Sequence, residues 1–139
     1  MFTEKELAYI HSQPLARLAT VADDTQPDAA AVGFQYDGIH FYIGGHNLPA
    51  SRKYKNIQNG NVKVALLIDD LASIEPWSPR GIRIYGTAEP VERVGRFGPG
   101  AYLRITPLVS WSFNIEGPAF VNGRFVNNKV LHHQESPGA

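Results

Sequence analysis

Hydrophobic and polar positions alternate along much of this chain with a period of two, and two short stretches instead take helical spacing. The first is MFTEKELAYIHS, at the start of the chain. Thr3 precedes Glu6 by three residues, the spacing of a capping box, and Phe2 and Leu7 are placed for a hydrophobic staple across it. Leu7, Ala8 and Ile10 form the apolar stripe, and Pro14 marks the end. Residues 15–22, LARLATVA, read as a strand, DDTQP as a turn and AAAVGFQY as a second strand. Asp37-Gly38 is a hairpin signal with strand-like residues on both sides. In IHFYIG, Ile39, Phe41 and Ile43 alternate with His40 and Tyr42, which predicts a third strand.

The second helical stretch begins at Ser51 and stops at Asn59-Gly60. NVKVALLIDD follows as a fourth strand, apolar on both faces in its middle and therefore central. LASIEPWSP, with two prolines, reads as a loop. RGIRIYGTAEPV is a fifth strand, with Ile82, Ile84 and Gly86 on one side and Arg83 and Tyr85 on the other. VERVGRFGPG is glycine-rich and polar, the composition of a loop. AYLRITPLVSWSFNIE is a sixth strand, kinked at Pro107, which cannot donate to the ladder. Beyond it the pattern weakens. Phe120, Val121, Phe125, Val126 and Val130 are expected to cover a barrel end, and the last residues to be disordered. With no repeats and no alternating βα units, the order predicts a mainly β fold, a small antiparallel barrel with two short helices.

Length and composition narrow the function. The chain has 139 residues, which suits one domain. Lys plus Arg and Asp plus Glu are 13 each, and this balance argues against non-specific nucleic-acid binding. The chain has no cysteine, which removes disulfides, thiolate catalysis and iron–sulfur clusters. No apolar run reaches the roughly 20 residues of a membrane span, and the acidic N-terminus does not read as a signal peptide. A soluble cytoplasmic protein is the expectation. His11, His40, His46, His132 and His133 lack metal-ligand spacing, so no metal site is expected. There is no nucleophile motif and no phosphate loop of the Walker type. An enzyme built from these residues would leave its chemistry to a cofactor.

One stretch raises a sharper question. IGGHNLPASRKYKNIQNGN places Ser51, Arg52, Lys53 and Lys55 in the first turns of a helix, where acids are usually preferred. They hold an anion from outside the chain, or they form a solvated face. Arg80 and Arg83 read as edge cations on a strand rather than as an extended basic groove. Trp77, Trp111 and Phe113 read as core or dimer-interface aromatics rather than as stacking partners for a cofactor.

LARLATVADDTQPDAAAVGFQYDG, IHFYIGG, the S-R-K-x-x-N-I run at 51–57 and NVKVALLIDD together resemble the pyridoxamine-5′-phosphate-oxidase-like, FMN-binding split β-barrels. DDLASIEPWSPRGIRIYGTAE with RITPLVSWSFNIEG is similar to an actinobacterial branch classed as F420-dependent enzymes, which includes dehydrotetracycline reductases. The resemblance spans about residues 2–117, and departs where ADDTQP lacks the usual glycine of the first turn. It sets residues 1–117 apart as the barrel domain and 118–139 as a C-terminal extension. It implies a homodimer with two cofactor sites at the interface, and coenzyme F420, or alternatively FMN, as cofactor. Ser51, Arg52 and Lys53 would anchor its phosphate. Lys55 or Arg80 would meet a glutamate tail. Val32, Gly33 and Gly44 would flank the ring, with Trp111 and Phe113 supplied by the partner subunit. The reaction implied is hydride delivery to an electron-poor C=C, with Tyr42, His46 or solvent as proton source. A non-catalytic carrier or storage protein of the same fold is the alternative from a different class.

Overall fold

Thr3 opens the first helix, α1 (Glu4–Ser12), through a complete capping box in which Thr3 Oγ1 accepts from the Glu6 backbone N–H and Glu6 accepts from the Thr3 N–H. Phe2 is buried and Leu7 packs against the core, as the staple requires. The structure is a computed structural model and describes residues 1–132. The expectation of disorder in the last residues lies outside the described residues.

Among the described residues, ten strands follow or flank the helices: β1 (Leu15–Val21), β2 (Pro27–Gly33), β3 (Gln35–Tyr36), β4 (Phe41–Ile43), β5 (Lys63–Ser73), β6 (Ser78–Gly95), β7 (Gly98–Phe113), β8 (Phe120–Val121), β9 (Arg124–Phe125) and β10 (Asn128–Leu131). The second helix, α2 (Arg52–Gln58), follows a 3-10 turn at Leu48–Ala50. The main sheet runs β2-β1-β5-β6-β7-β4-β3, with β10 paired to β7. All its pairings are antiparallel, as the hairpin-rich sequence predicts. Leu18, Leu66, Ile68, Ile82, Ile84, Leu103 and Ile105 are fully buried. They come from β1, β5, β6 and β7, and their period-two spacing makes one face of the curled sheet the core.

Four readings of the sequence need correction. Residues 91–100 are not a loop. β6 and β7 run through them as a long hairpin that turns at Arg96 and Phe97. The glycines there serve the turn, since Gly98 and Gly100 have φ of +86° and +142°, values that suit glycine. The loop read at 71–79 is likewise a hairpin, with β5 reaching Ser73 and β6 starting at Ser78. The third strand is shorter and does not alternate. Ile39 is spent in the Asp37-Gly38 turn and is exposed, whereas Phe41, Tyr42 and Ile43 are all buried. Finally, Phe120, Val121 and Phe125 do not close the barrel. They form the β8–β9 hairpin and remain exposed, with Phe125 against Phe113 at 5.7 Å between ring centroids. Pro107 does mark an irregularity, a register shift beside Gly86. The segment after 117 returns to the barrel through β10.

Candidate functional site

Tertiary contacts fix α2 at one end of the barrel. Tyr54, Asn56 and Ile57 are buried, and the Asn56 amide donates to Thr20 Oγ1 on β1 at 3.0 Å. The opposite face carries Arg52 and Lys55, both exposed, with Lys53 half-buried beside them. Among the described residues no acid pairs with any of the three. Three cations on two turns of helix, without a partner, leave a locally positive surface on a chain of zero net charge. The helix has seven residues, so the side chains rather than a long macrodipole supply that potential. Ser51 is the N-cap. Its hydroxyl donates to Leu48 O at 2.6 Å and accepts from Tyr54 N at 3.3 Å, so it meets an anion as a donor only after rotating.

The remaining candidates divide into three places. Val32 and Gly33 end β2, and Gly44 follows β4 on the way to α2. Gly33 and Gly44 meet through a side chain that the sequence reading left in a loop. A methyl group built on Gly33 lies 3.1 Å from Phe97 Cζ, and one built on Gly44 lies 2.7 Å from Phe97 Cδ2 and 2.5 Å from Tyr102 Cε1. Tyr42 is buried, with the Arg93 guanidinium 3.6 Å from its ring centroid. His46 is exposed in the turn beyond Gly44. The signal for Phe97 was present in the sequence, an aromatic at the tip of a glycine-punctuated turn, but it takes the two distant glycines to give it meaning.

Arg80 lies elsewhere. Its Nε and Nη2 donate to the two oxygens of Asp70 at 2.7 and 3.0 Å. Asp70 also accepts from Tyr9 Oη at 2.8 Å and from Gln13. The Arg80 guanidinium beside it holds the Asp70 carboxyl below the usual carboxylate range. Burial first, and then the bond to Asp70, raise the Tyr9 phenol. With Lys5, Tyr9, Ser12, Asn114 and Ile115, Arg80 lines a cleft of about 330 Å³ under α1. The α2 end of β6 is near Ala88, whose N–H bonds Val62 O. Arg80 is eight strand residues from it, on the order of 26 Å at ~3.3 Å per residue. Within one subunit the structure does not bring Arg80 to the α2 cations.

The family model for pyridoxamine 5′-phosphate oxidase matches residues 2–111. This chain belongs to that family. Its mainly β architecture is the split barrel of the family. The chain is 35% identical over 124 residues to the 5a,11a-dehydrotetracycline/5a,11a-dehydrooxytetracycline reductase of Streptomyces rimosus, covering 84% of this chain and 85% of that protein. Several solved structures share the fold. HupZ of Group A Streptococcus superposes with a TM-score of 0.66 at 23% identity, over 85% of this chain and 98% of HupZ. A protein described as an F420 reductase superposes with a TM-score of 0.56 at 21% identity, over 70% and 90%.

The outer face of this oxidase-family barrel is aromatic. Arg83 lies directly across the ladder from Trp111, with its guanidinium 4.8 Å from the Trp111 ring and 5.6 Å from Tyr85. Tyr85 and Trp111 pack edge-to-face at 4.9 Å. Phe113, Phe125 and Leu131 continue the same surface. Trp77 stands apart, exposed in the β5–β6 turn. Among the described residues no helix is long and apolar enough to cross a membrane, and no group of side chains is arranged for a metal ion.

Proposed function

We propose that this chain is an F420-dependent oxidoreductase that reduces an electron-poor C=C in a small organic substrate. The observation that carries the proposal is the match to the dehydrotetracycline reductase, which extends over most of both chains. Family membership supports the coarser statement that the protein is of the oxidoreductase class.

The residues present suit such a cofactor. Arg52 and Lys53 are unpaired among the described residues and fit a phosphodiester, with Ser51 at the same turn. Lys55, one turn on and exposed, fits the first carboxylates of a glutamate tail. Gly33 and Gly44, beside Val32, present no side chain of their own to a flat ring, and the place between them is filled by the Phe97 ring. When bound, reduced F420 would supply a hydride. The protein's part is to hold the ring and substrate in register and to exclude water. Of the two side chains considered as proton source, His46 is open to solvent exchange, whereas Tyr42 lies beneath Arg93. The exposed aromatic face around Trp111 supports a homodimer, in which Trp111 and Phe113 of one subunit reach the site of the other. We place the protein in the cytoplasm, with no nucleic-acid or membrane partner.

One observation favours FMN as the alternative cofactor. Arg80, which the resemblance sets against a glutamate tail, is engaged by Asp70 and lies on the order of 26 Å along β6 from its α2 end, so it does not extend a basic groove from α2. FMN ends at its phosphate and needs no such groove. Fluorescence titration with F420 and with FMN, on wild type and Lys53→Ala, decides between them. The expected result is tighter binding of F420 and a loss of about tenfold or more in Lys53→Ala, or ~1.4 kcal/mol, with an unchanged circular dichroism spectrum. Preference for FMN would assign the flavin. Binding of both with unaltered affinity in Lys53→Ala would remove the phosphate assignment, and turnover of no acceptor would favour a non-catalytic carrier.

A further inference from the structure

Gly33 ends β2, at one end of the sheet path, and Gly44 follows β4, next to its other end, and neither has a left-handed φ. The backbone at these positions would accept any residue. What they lack is room. A methyl group on Gly44 would press within 2.7 Å of Phe97 and 2.5 Å of Tyr102, and one on Gly33 within 3.1 Å of Phe97. The two glycines form one notch, and the phenyl ring of Phe97 fills it.

The two aromatics differ in how they are held. Tyr102 is 2% exposed. Its hydroxyl accepts from Phe97 N at 3.0 Å and donates to Gly98 O at 2.6 Å, so it acts as a fixed post at the base of the turn. Phe97 is 44% exposed, and Val94 beside it is 77% exposed. Beyond the Tyr102 bond, one hydrogen bond to a side chain ties the tip to the barrel among the described residues, from Arg96 N to Gln35 Oε1 at 3.0 Å. Gly95, Gly98 and Gly100 flank the tip, and the last two already occupy the positive-φ region. A segment with little burial, few ties and glycines on both sides is drawn from the low-stability end of a fold.

We infer that the β6–β7 tip is a latch on the ring subsite, and that Phe97 holds the place over Gly33 and Gly44 that a planar heteroaromatic ring takes. This rests on the reading above that the cofactor ring lies against these two glycines. The notch that accepts one phenyl ring has no depth for a second ring stacked on the same faces. Ring entry therefore requires the tip to swing outward about its glycines. Tyr102 and Arg93, with its guanidinium over Tyr42, remain as the wall and cation that the incoming ring meets. Phe97 thus sets how readily a ring is admitted, since ligand affinity is reduced by the fraction of molecules that are closed.

Stopped-flow and equilibrium titration with F420 and with FMN, on wild type, Phe97→Ala and Gln35→Ala, test the latch, together with hydrogen–deuterium exchange across residues 93–102. Removing the phenyl ring or the Gln35 tie should raise affinity, Phe97→Ala by about tenfold, through faster association. Ring-bearing cofactor should speed exchange at the Arg96 and Phe97 amides of the wild type, whereas inorganic phosphate should leave it unchanged. Cofactor binding with slowed or unaltered exchange there, and with Phe97→Ala within about twofold of wild type, would overturn the latch and leave the cofactor reading standing. Binding of neither cofactor by wild type or Phe97→Ala would overturn both.

Discussion

Arg80 grips Asp70 through two hydrogen bonds, at 2.7 and 3.0 Å, directly across the β5–β6 ladder. The carboxylate also accepts from Tyr9 and Gln13, so one charged pair ties α1 to the sheet. Both side chains are about one-third exposed, which limits the pair to ~1 kcal/mol, with the buried Tyr9 bond adding a similar amount. The folded-state pKa of Asp70 is depressed, chiefly by Arg80. Its contribution is therefore present above the unfolded value of about 3.9 and is lost as pH falls through the lower folded value. Asp70→Asn should cost about 1–2 kcal/mol at pH 7 in urea denaturation. The gap from wild type should narrow at pH 3, and a constant gap would show that charge is not the source.

The elements that were legible in the sequence are those decided locally. The Thr3–Glu6 box, the Asp37-Gly38 turn and the Gly60 stop of α2 each rest on residues a few positions apart. The β6–β7 hairpin was missed because glycine and charge at 91–100 resemble a loop when read alone. What makes those residues strand is the ladder from Val91↔Tyr102 to Gly95↔Gly98. The α2 cations were legible for the same local reason as the caps. The Phe97 notch was not, because Gly33, Gly44 and Phe97 meet only after the sheet curls. The resemblance sets Arg80 against a cofactor tail, whereas its partner Asp70, ten residues back, becomes its neighbour only through strand register.

Asn56 connects the stability of the fold to the candidate anion site. It is 6% exposed, and its amide reaches Thr20 Oγ1, itself 1% exposed. Asn56→Ala leaves a buried hydroxyl short of a partner and frees α2 from β1. The expected cost is about 1–3 kcal/mol. Cofactor affinity should fall as well, because Lys53 is carried on the same helix. A stability loss without any change in affinity would show that α2 keeps its position by other contacts.

Thr25 gives a prediction of the opposite sign. It has φ of +69° in the turn between β1 and β2, a backbone conformation that suits glycine. A β-branched residue is strained there by roughly 1–2 kcal/mol, and glycine recovers most of that at some cost in chain entropy. Thr25→Gly should therefore stabilise by about 0.5–1 kcal/mol. Calorimetry would show a raised Tm, and a lowered Tm would mean that the Thr25 side chain supplies more than the turn loses.

His132 should make the fold sensitive to mild acid. Its ring packs at a tilt against Phe2, 4.3 Å between centroids, and its Nε2 lies 2.8 Å from Ser110 Oγ. Burial, and then the nearby N-terminal charge, push its pKa down to about 4. The unfolded chain takes up the proton first, near pH 6.5. Stability from the neutral ring is thus full above that pH and drains away between pH 6.5 and about 4. Allowing for partial exposure, the loss is ~2 kcal/mol. His132→Gln should flatten the pH–stability curve in that window while leaving the limb below pH 4 to groups such as Asp70.

Trp111 tests the proposed dimer. With Arg83 over its ring and Tyr85 against its edge, it is held rigid on an outer face that continues through Phe113, Phe125 and Leu131. Leu131 and Phe125 are 56% and 49% exposed, and an aromatic surface of this kind is characteristic of interface centres. A carboxylate placed there would be desolvated on association and would draw Arg83 away from its ring. Within a single chain, Trp111 is only partly buried, so Trp111→Glu should fold with a loss of about 1 kcal/mol or less. Sedimentation velocity should show wild type as a dimer and Trp111→Glu as a monomer. If partner aromatics complete the cofactor site, the monomer should also bind the ring weakly while its α2 cations still take phosphate. A wild-type monomer would remove the dimer from the proposal and confine the site to the residues of one subunit.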